Sequence, residues 1–135
     1  MEHPQVVDPA HPLVERVRAI CLAFPESSEV EAWGRPSFRV GTKIFALVGA
    51  GMQHPFSIVF KPGPDEASAY LNDARFFVPP YWGARGWLAT HIDEPTTDWA
   101  ELAEIIDTSY RQVALVRQVK ALDLAGGQNT PERLV

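Results

Sequence analysis

Apolar side chains fall on Leu13, Val14, Val17, Ile20, Cys21 and Phe24, a spacing that draws one stripe along an amphipathic helix. Asp8-Pro9 or His11-Pro12 can open that helix, because proline suits a first turn, and Pro25 ends it after Phe24. The period then changes. "EVEAW" alternates as a short strand, and "PSFRV" and "TKIFALV" flank Gly41-Thr42, a tight-turn dipeptide that predicts a hairpin. "GAGMQH" reads as a loop and "PFSIVFK" as the next strand. The glycines at 49 and 51 precede a strand, so no helix N-terminus follows them to hold a phosphate.

A Pro-Gly turn leads into a short helix from about Pro64 to Leu71. "ARFFV" predicts a short strand stopped by Pro79-Pro80, and "GWLATHI" the last strand. Asp98, with Glu101 three residues on, forms a capping signature for a helix from Trp99 to Lys120. Its buried stripe reads Leu102, Ile105, Ile106, Ser109, Val113 and Val116. Residues 121–135 lose this periodicity and read as a frayed tail, which leaves residues 1–120 as a single domain. The order α-β-β-β-β-α-β-β-α, with hairpins in place of βαβ crossovers, predicts an α+β fold. It is a single antiparallel sheet with the N- and C-terminal helices packed on one face.

Strand parity assigns the faces. Phe38, Val40, Phe56, Ile58, Phe60, Leu88 and Ile92 belong under the helices. The other parity gives Ser37, Arg39, Ser57, Val59, Lys61, Trp87, Ala89 and His91. From Lys43 to Val48 both parities are apolar, so this strand's facing is ambiguous, and Lys43, Phe45 and Leu47 can join the second set.

Charge sharpens the picture of that second face. The chain of 135 residues has a net charge of −5, which argues against strong whole-molecule attraction to nucleic acid. Between Arg35 and His91, however, six bases meet three acids, giving +3, while the remainder is −8. Solvated acidic termini account for this as well as a basic surface does. The single cysteine, Cys21, excludes an internal disulfide and suits a reducing cytosol. Its place on the helix stripe predicts a buried, unreactive thiol. No apolar run can span a bilayer, and the acidic, proline-bearing start predicts no export signal, so a cytoplasmic protein is expected.

"WGRPSFRVGTKIFALV", "IVFKP", "FFVPPYWGARGWLATHID" and "ELAEIIDTSYRQVA" resemble, in that order, the small bacterial MmcQ/YjbR-like family. The resemblance implies an antiparallel sheet with terminal helices on one side. It also implies DNA binding, from a double-wing arrangement, and carries no shared catalytic residue. By position it singles out Lys43-Ile44-Phe45, Lys61, Pro79-Pro80-Tyr81, Trp87 and Ser109-Tyr110. Where relatives often have a longer polar or basic loop, this chain has Trp82-Gly83-Ala84-Arg85-Gly86, which weakens a basic wing tip.

Three functions compete. In the first, Arg39, Lys43, Lys61, Arg75 and Arg85 contact phosphates of DNA, weakly at physiological salt, while Tyr81 and Trp87 offer aromatic surface to bases. In the second, a pocket edged by tryptophans and arginines takes a small anionic or aromatic ligand. In the third, the same surface docks another protein. A sharper expectation is that Arg39, Lys43 and Lys61 converge on one exposed sheet face beside Trp87. His3, His11, His54 and His91 show no metal-ligand spacing, so no metal site or cofactor is expected. His91 reads as a packed histidine or as an acid–base group in a pocket.

Overall fold

The computed structural model describes residues 4–126. The first helix, α1, runs over Pro12–Cys21, with His11 as its cap: His11 Nδ1 accepts from Leu13 N–H at 3.1 Å. Six strands follow: β1 (Ser27–Ala32), β2 (Arg35–Val40), β3 (Lys43–Val48), β4 (Ser57–Phe60), β5 (Phe76–Phe77) and β6 (Leu88–His91). They form one antiparallel sheet in the order β1-β2-β3-β4-β6-β5. A short helix α2 (Ala67–Leu71) precedes β5, and a single 3-10 turn (Trp82–Arg85) lies between β5 and β6. Gly41, at a φ of +61°, supplies the left-handed residue of the β2–β3 hairpin.

The sequence predicts one C-terminal helix; among the described residues there are two, α3 (Trp99–Val113) and α4 (Val116–Leu124). Asp98 caps α3 as expected, accepting from Glu101 N–H at 3.1 Å. The break has a side-chain cause. Gln118, buried, turns its Oε1 onto Leu115 N–H at 2.7 Å and supplies the partner that the broken ladder lacks. Val116 is therefore 73% exposed and not part of the stripe, while Leu122 is fully buried. The expected fraying from residue 121 does not hold: the helix continues to Leu124. Of the predicted tail, residues 127–135 lie outside the described part.

Helices α1, α3 and α4 pack on one face of the sheet. Val14, Val17 and Cys21 of α1, Leu102, Ile106 and Tyr110 of α3, and Leu122 of α4 meet Phe38, Val40, Val48 and Ile58. Cys21 is fully buried, and burial pushes its thiol well above the ordinary value. The ambiguity of β3 resolves into a β-bulge. Phe38 pairs with Ala46 and Arg39 with Ile44, so Phe45 is the extra residue and both Phe45 and Ala46 enter the helix-side core. Ser109 of α3 satisfies the disturbed backbone, donating to Phe45 O at 2.6 Å and accepting from Lys61 N–H at 2.8 Å. Tyr110 donates to Pro25 O at 2.8 Å and stacks on Phe24.

Candidate functional site

The face away from the helices is where the expected basic platform should lie, and it is not open. Leu47, Val59 and Ala89 on that face are covered by Trp82 and Trp87, which form a second small core with Ala50. The segment from Pro79 to Gly86, expected as a loop with a weakened basic wing tip, folds back over the sheet and brings Trp82 within 5.1 Å of Trp87, ring to ring. Trp87 is thus buried under the loop and is not a stacking surface.

The expected convergence of bases fails too. Directly paired strand residues share a face. Arg39 pairs with Ile44, away from the helices, whereas Lys43 pairs with Val40, whose side chain lies in the helix-side core. The extra residue in β3 puts Lys43 out of phase with Arg39. Lys61 lies just past β4, its backbone held by Ser109. Arg75 is engaged by Asp73 and Glu101, both at 2.8 Å, and these hydrogen bonds raise it above the usual guanidinium value. Arg85 and Tyr81 do come together: the guanidinium donates to the phenol oxygen at 3.0 Å and lies 5.1 Å over the ring.

What the structure builds beside this pair is a cleft of about 430 Å³, lined by Trp33, Arg35, Tyr81 and Trp82 over the Ala50-Gly51 backbone. Its aromatic walls are held at unusual backbone angles. Trp33 and Gly34 form the two-residue β1–β2 turn with φ of +55° and +79°, a geometry that ordinarily selects Asn-Gly. A bulky residue at positive φ is a true outlier. Tyr81 sits at φ +68°, ψ −58°, with Trp82 N–H bonded to Pro80 O at 2.7 Å. That is a γ-turn of the rare, strained hand. Among the described residues, three non-glycines have positive φ, and two of them, Trp33 and Tyr81, edge this cleft. Strain of this kind concentrates at ligand clamps. The rings meet edge to face around Trp82, with Trp33 at 5.9 Å and Tyr81 at 5.7 Å, leaving Trp33 41% and Tyr81 65% exposed.

Arg35 supplies the charge. It spans from the turn to the next loop, donating to Gly49 O at 2.6 Å and Trp33 O at 3.2 Å. Both partners are neutral carbonyls, and no carboxylate pairs with it among the described residues. Burial lowers its pKa from the ordinary value, the signature of a cation short of solvent. The N-terminal segment props this corner from below: Val6 N–H bonds Gly34 O at 2.8 Å, and a Cβ on Gly34 would stand 1.9 Å from Pro4 O. Only glycine lets the two backbones approach so closely. Of the cleft residues, the sequence picks out Tyr81 alone as a site. Trp33, Arg35 and Trp82 are ordinary letters in a hairpin and a loop until the fold brings them together.

No helix among the described residues is long and apolar enough to cross a membrane. No curated protein sequence matches the chain. Among solved structures, a crystal structure of a Deinococcus radiodurans protein with the DUF419 domain is similar over 88% of this chain and 91% of that one, at 21% identity and a TM-score of 0.65. That likeness concerns the fold. The YjbR family model matches residues 22–112, from the end of α1 through the sheet and the cleft to the last turn of α3. With most of its length inside that match, the chain belongs to the YjbR family.

Proposed function

We propose that this protein is a binding module whose site is the Trp33–Arg35–Tyr81–Trp82 cleft, and that its ligand is a planar group bearing an anionic substituent. The observation that carries the reading is the coincidence, on one cleft, of two strained aromatics and a partly desolvated arginine that has no carboxylate partner among the described residues. Rings hold a flat ligand by stacking, and an arginine short of solvent favours a carboxylate or phosphate over water. The volume falls at the low end of the ~300–1,000 Å³ range of small-molecule sites. Among the described residues the lining is aromatic and cationic, a set suited to holding a flat anion.

A second reading keeps nucleic acid as the partner, in single-stranded form. Parity puts Arg35 and Arg39 on the same side of the sheet, and Arg85 borders the cleft through Tyr81. A splayed base on the rings with phosphates on these arginines needs no groove for a duplex. The test titrates phenyl phosphate, 2-naphthoate, a short oligothymidylate and a short duplex while following the indole N–H resonances of Trp33 and Trp82. The ligand reading expects both aromatic anions to shift those resonances, with Arg35→Gln weakening them at least tenfold. Oligothymidylate binding with a steep salt dependence, without response to the small anions, would favour the second reading. Silence from all four probes would remove both.

A further inference from the structure

On the same face, next to β5, two histidines remain that the cleft does not use. His54 Nδ1 and His91 Nε2 lie 3.1 Å apart. They sit 37 residues apart in sequence, which is why no spacing in the chain announces them. We propose that His54 and His91 form a chelating site for a late first-row divalent cation of the zinc type, independent of the cleft.

The geometry is that of a bite. Two imidazole nitrogens about 2.05 Å from one ion and 3.1 Å from each other subtend about 98° at it. This angle falls between the ~90° of a tetragonal site and the ~109° of a tetrahedral one. Each lone pair, directed along the N···N line in the hydrogen-bonded pair, turns by about 41° to meet the ion. The N–H···N bridge is given up in the process. Its proton moves through solvent to the other nitrogen of the same ring, so two neutral imidazoles each present a lone pair and no net charge is lost.

The rings are held for this from behind. Phe77 stacks on His91 with ring centres 4.9 Å apart and lies 4.6 Å from His54. Ser57, paired with His91 across the strands, donates to His54 O at 2.7 Å and accepts from Ala50 N–H at 2.8 Å. His54 N–H closes its loop on Gly51 O at 2.9 Å. These bonds fix the backbone that carries His54 beside the strand that carries His91. Both histidines are half-buried, so water reaches the remaining coordination positions. Among the described residues no group of three or more His, Cys, Asp or Glu is placed to hold an ion, so this site is a two-ligand one with open positions. Imidazole donors suit zinc and cobalt and discriminate against magnesium.

The experiment uses the full chain without an affinity tag. Zn²⁺ is titrated by calorimetry into the unmodified protein and into His54→Gln, His91→Gln, His3→Gln and His11→Gln. We expect one equivalent to bind, each of the first two changes to weaken it at least tenfold, and the last two to leave it unchanged. Co²⁺ added to the unmodified protein, followed by the imidazole resonances, should shift both His54 and His91, a readout that no variant's folding can disturb. Unmoved His54 and His91 resonances, or zinc affinity untouched in both glutamine variants, would show that the pair is only hydrogen-bonded and would overturn the proposal.

Discussion

Replacing Tyr81 by glycine separates strain from structure. The tyrosine backbone is held in the strained γ-turn, a cost of roughly 1–3 kcal/mol that glycine does not incur. Against that relief stand three losses. The edge-to-face contact with Trp82 is worth about 0.5–1.5 kcal/mol. The exposed hydrogen bond from Arg85 contributes about 0.5–1 kcal/mol. The added freedom of glycine in the unfolded chain costs about 0.4–1 kcal/mol. Because the side chain is 65% exposed, little core burial is at stake. Gains and losses offset, and the variant should unfold in urea within about 1 kcal/mol of the parent. Its response to phenyl phosphate, read on the Trp33 and Trp82 indoles, should nevertheless fall at least tenfold. Tyr81→Phe, which keeps the ring, should retain most of that response. A glycine variant destabilised by more than about 2 kcal/mol would show the ring to be structural and the strain argument wrong. Undiminished binding would remove Tyr81 from the site.

Ser109→Ala should cost about 2–4 kcal/mol in denaturant unfolding, because it strands both Phe45 O and Lys61 N–H; a change below 1 kcal/mol would mean water replaces the hydroxyl. Phe60→Ala, at a ring 1% exposed, should cost roughly 3–5 kcal/mol, and a mild effect would contradict its burial against Ile105 and Phe76. Cys21 should resist thiol reagents in the folded protein and react only on unfolding; rapid native labelling would refute the register of α1. Arg75 holds Asp73, and Arg117 holds Glu26, below the ordinary carboxylate values. Depressed folded values mean that these groups favour the native state fully above about pH 5 and lose that contribution as pH falls through them. Asp73→Asn with Glu26→Gln should therefore flatten the acid side of the stability profile, and an unchanged slope there counts against the ion pairs.

Alternation alone placed Phe38, Ile58, Leu88 and their partners correctly, since a pleat leaves each strand residue two choices and burial decides between them. β3 escaped because both parities were apolar and a bulge changes phase within the strand, which no local pattern marks. That one residue moved Phe45 into the core and Lys43 away from Arg39. The cover over the second face was hidden for another reason. Whether "PPYWGARG" projects as a wing or folds back depends on its contact with Leu47, Val59 and Ala89, residues distant in sequence. The end of α3 depends on one glutamine side chain, Gln118, reaching a backbone N–H, and helix periodicity carries no trace of that.

The family match begins at residue 22, yet the turn that holds Trp33 rests on Pro4 and Val6. The shared part of the chain thus supplies the aromatic walls while a segment outside it backs the turn that carries one of them. On the binding reading proposed above, changing only the few residues before α1 would alter one wall of the cleft without touching the sheet. On the same reading, a change at Pro4 or Val6 acts on the cleft as well as on the segment that carries it.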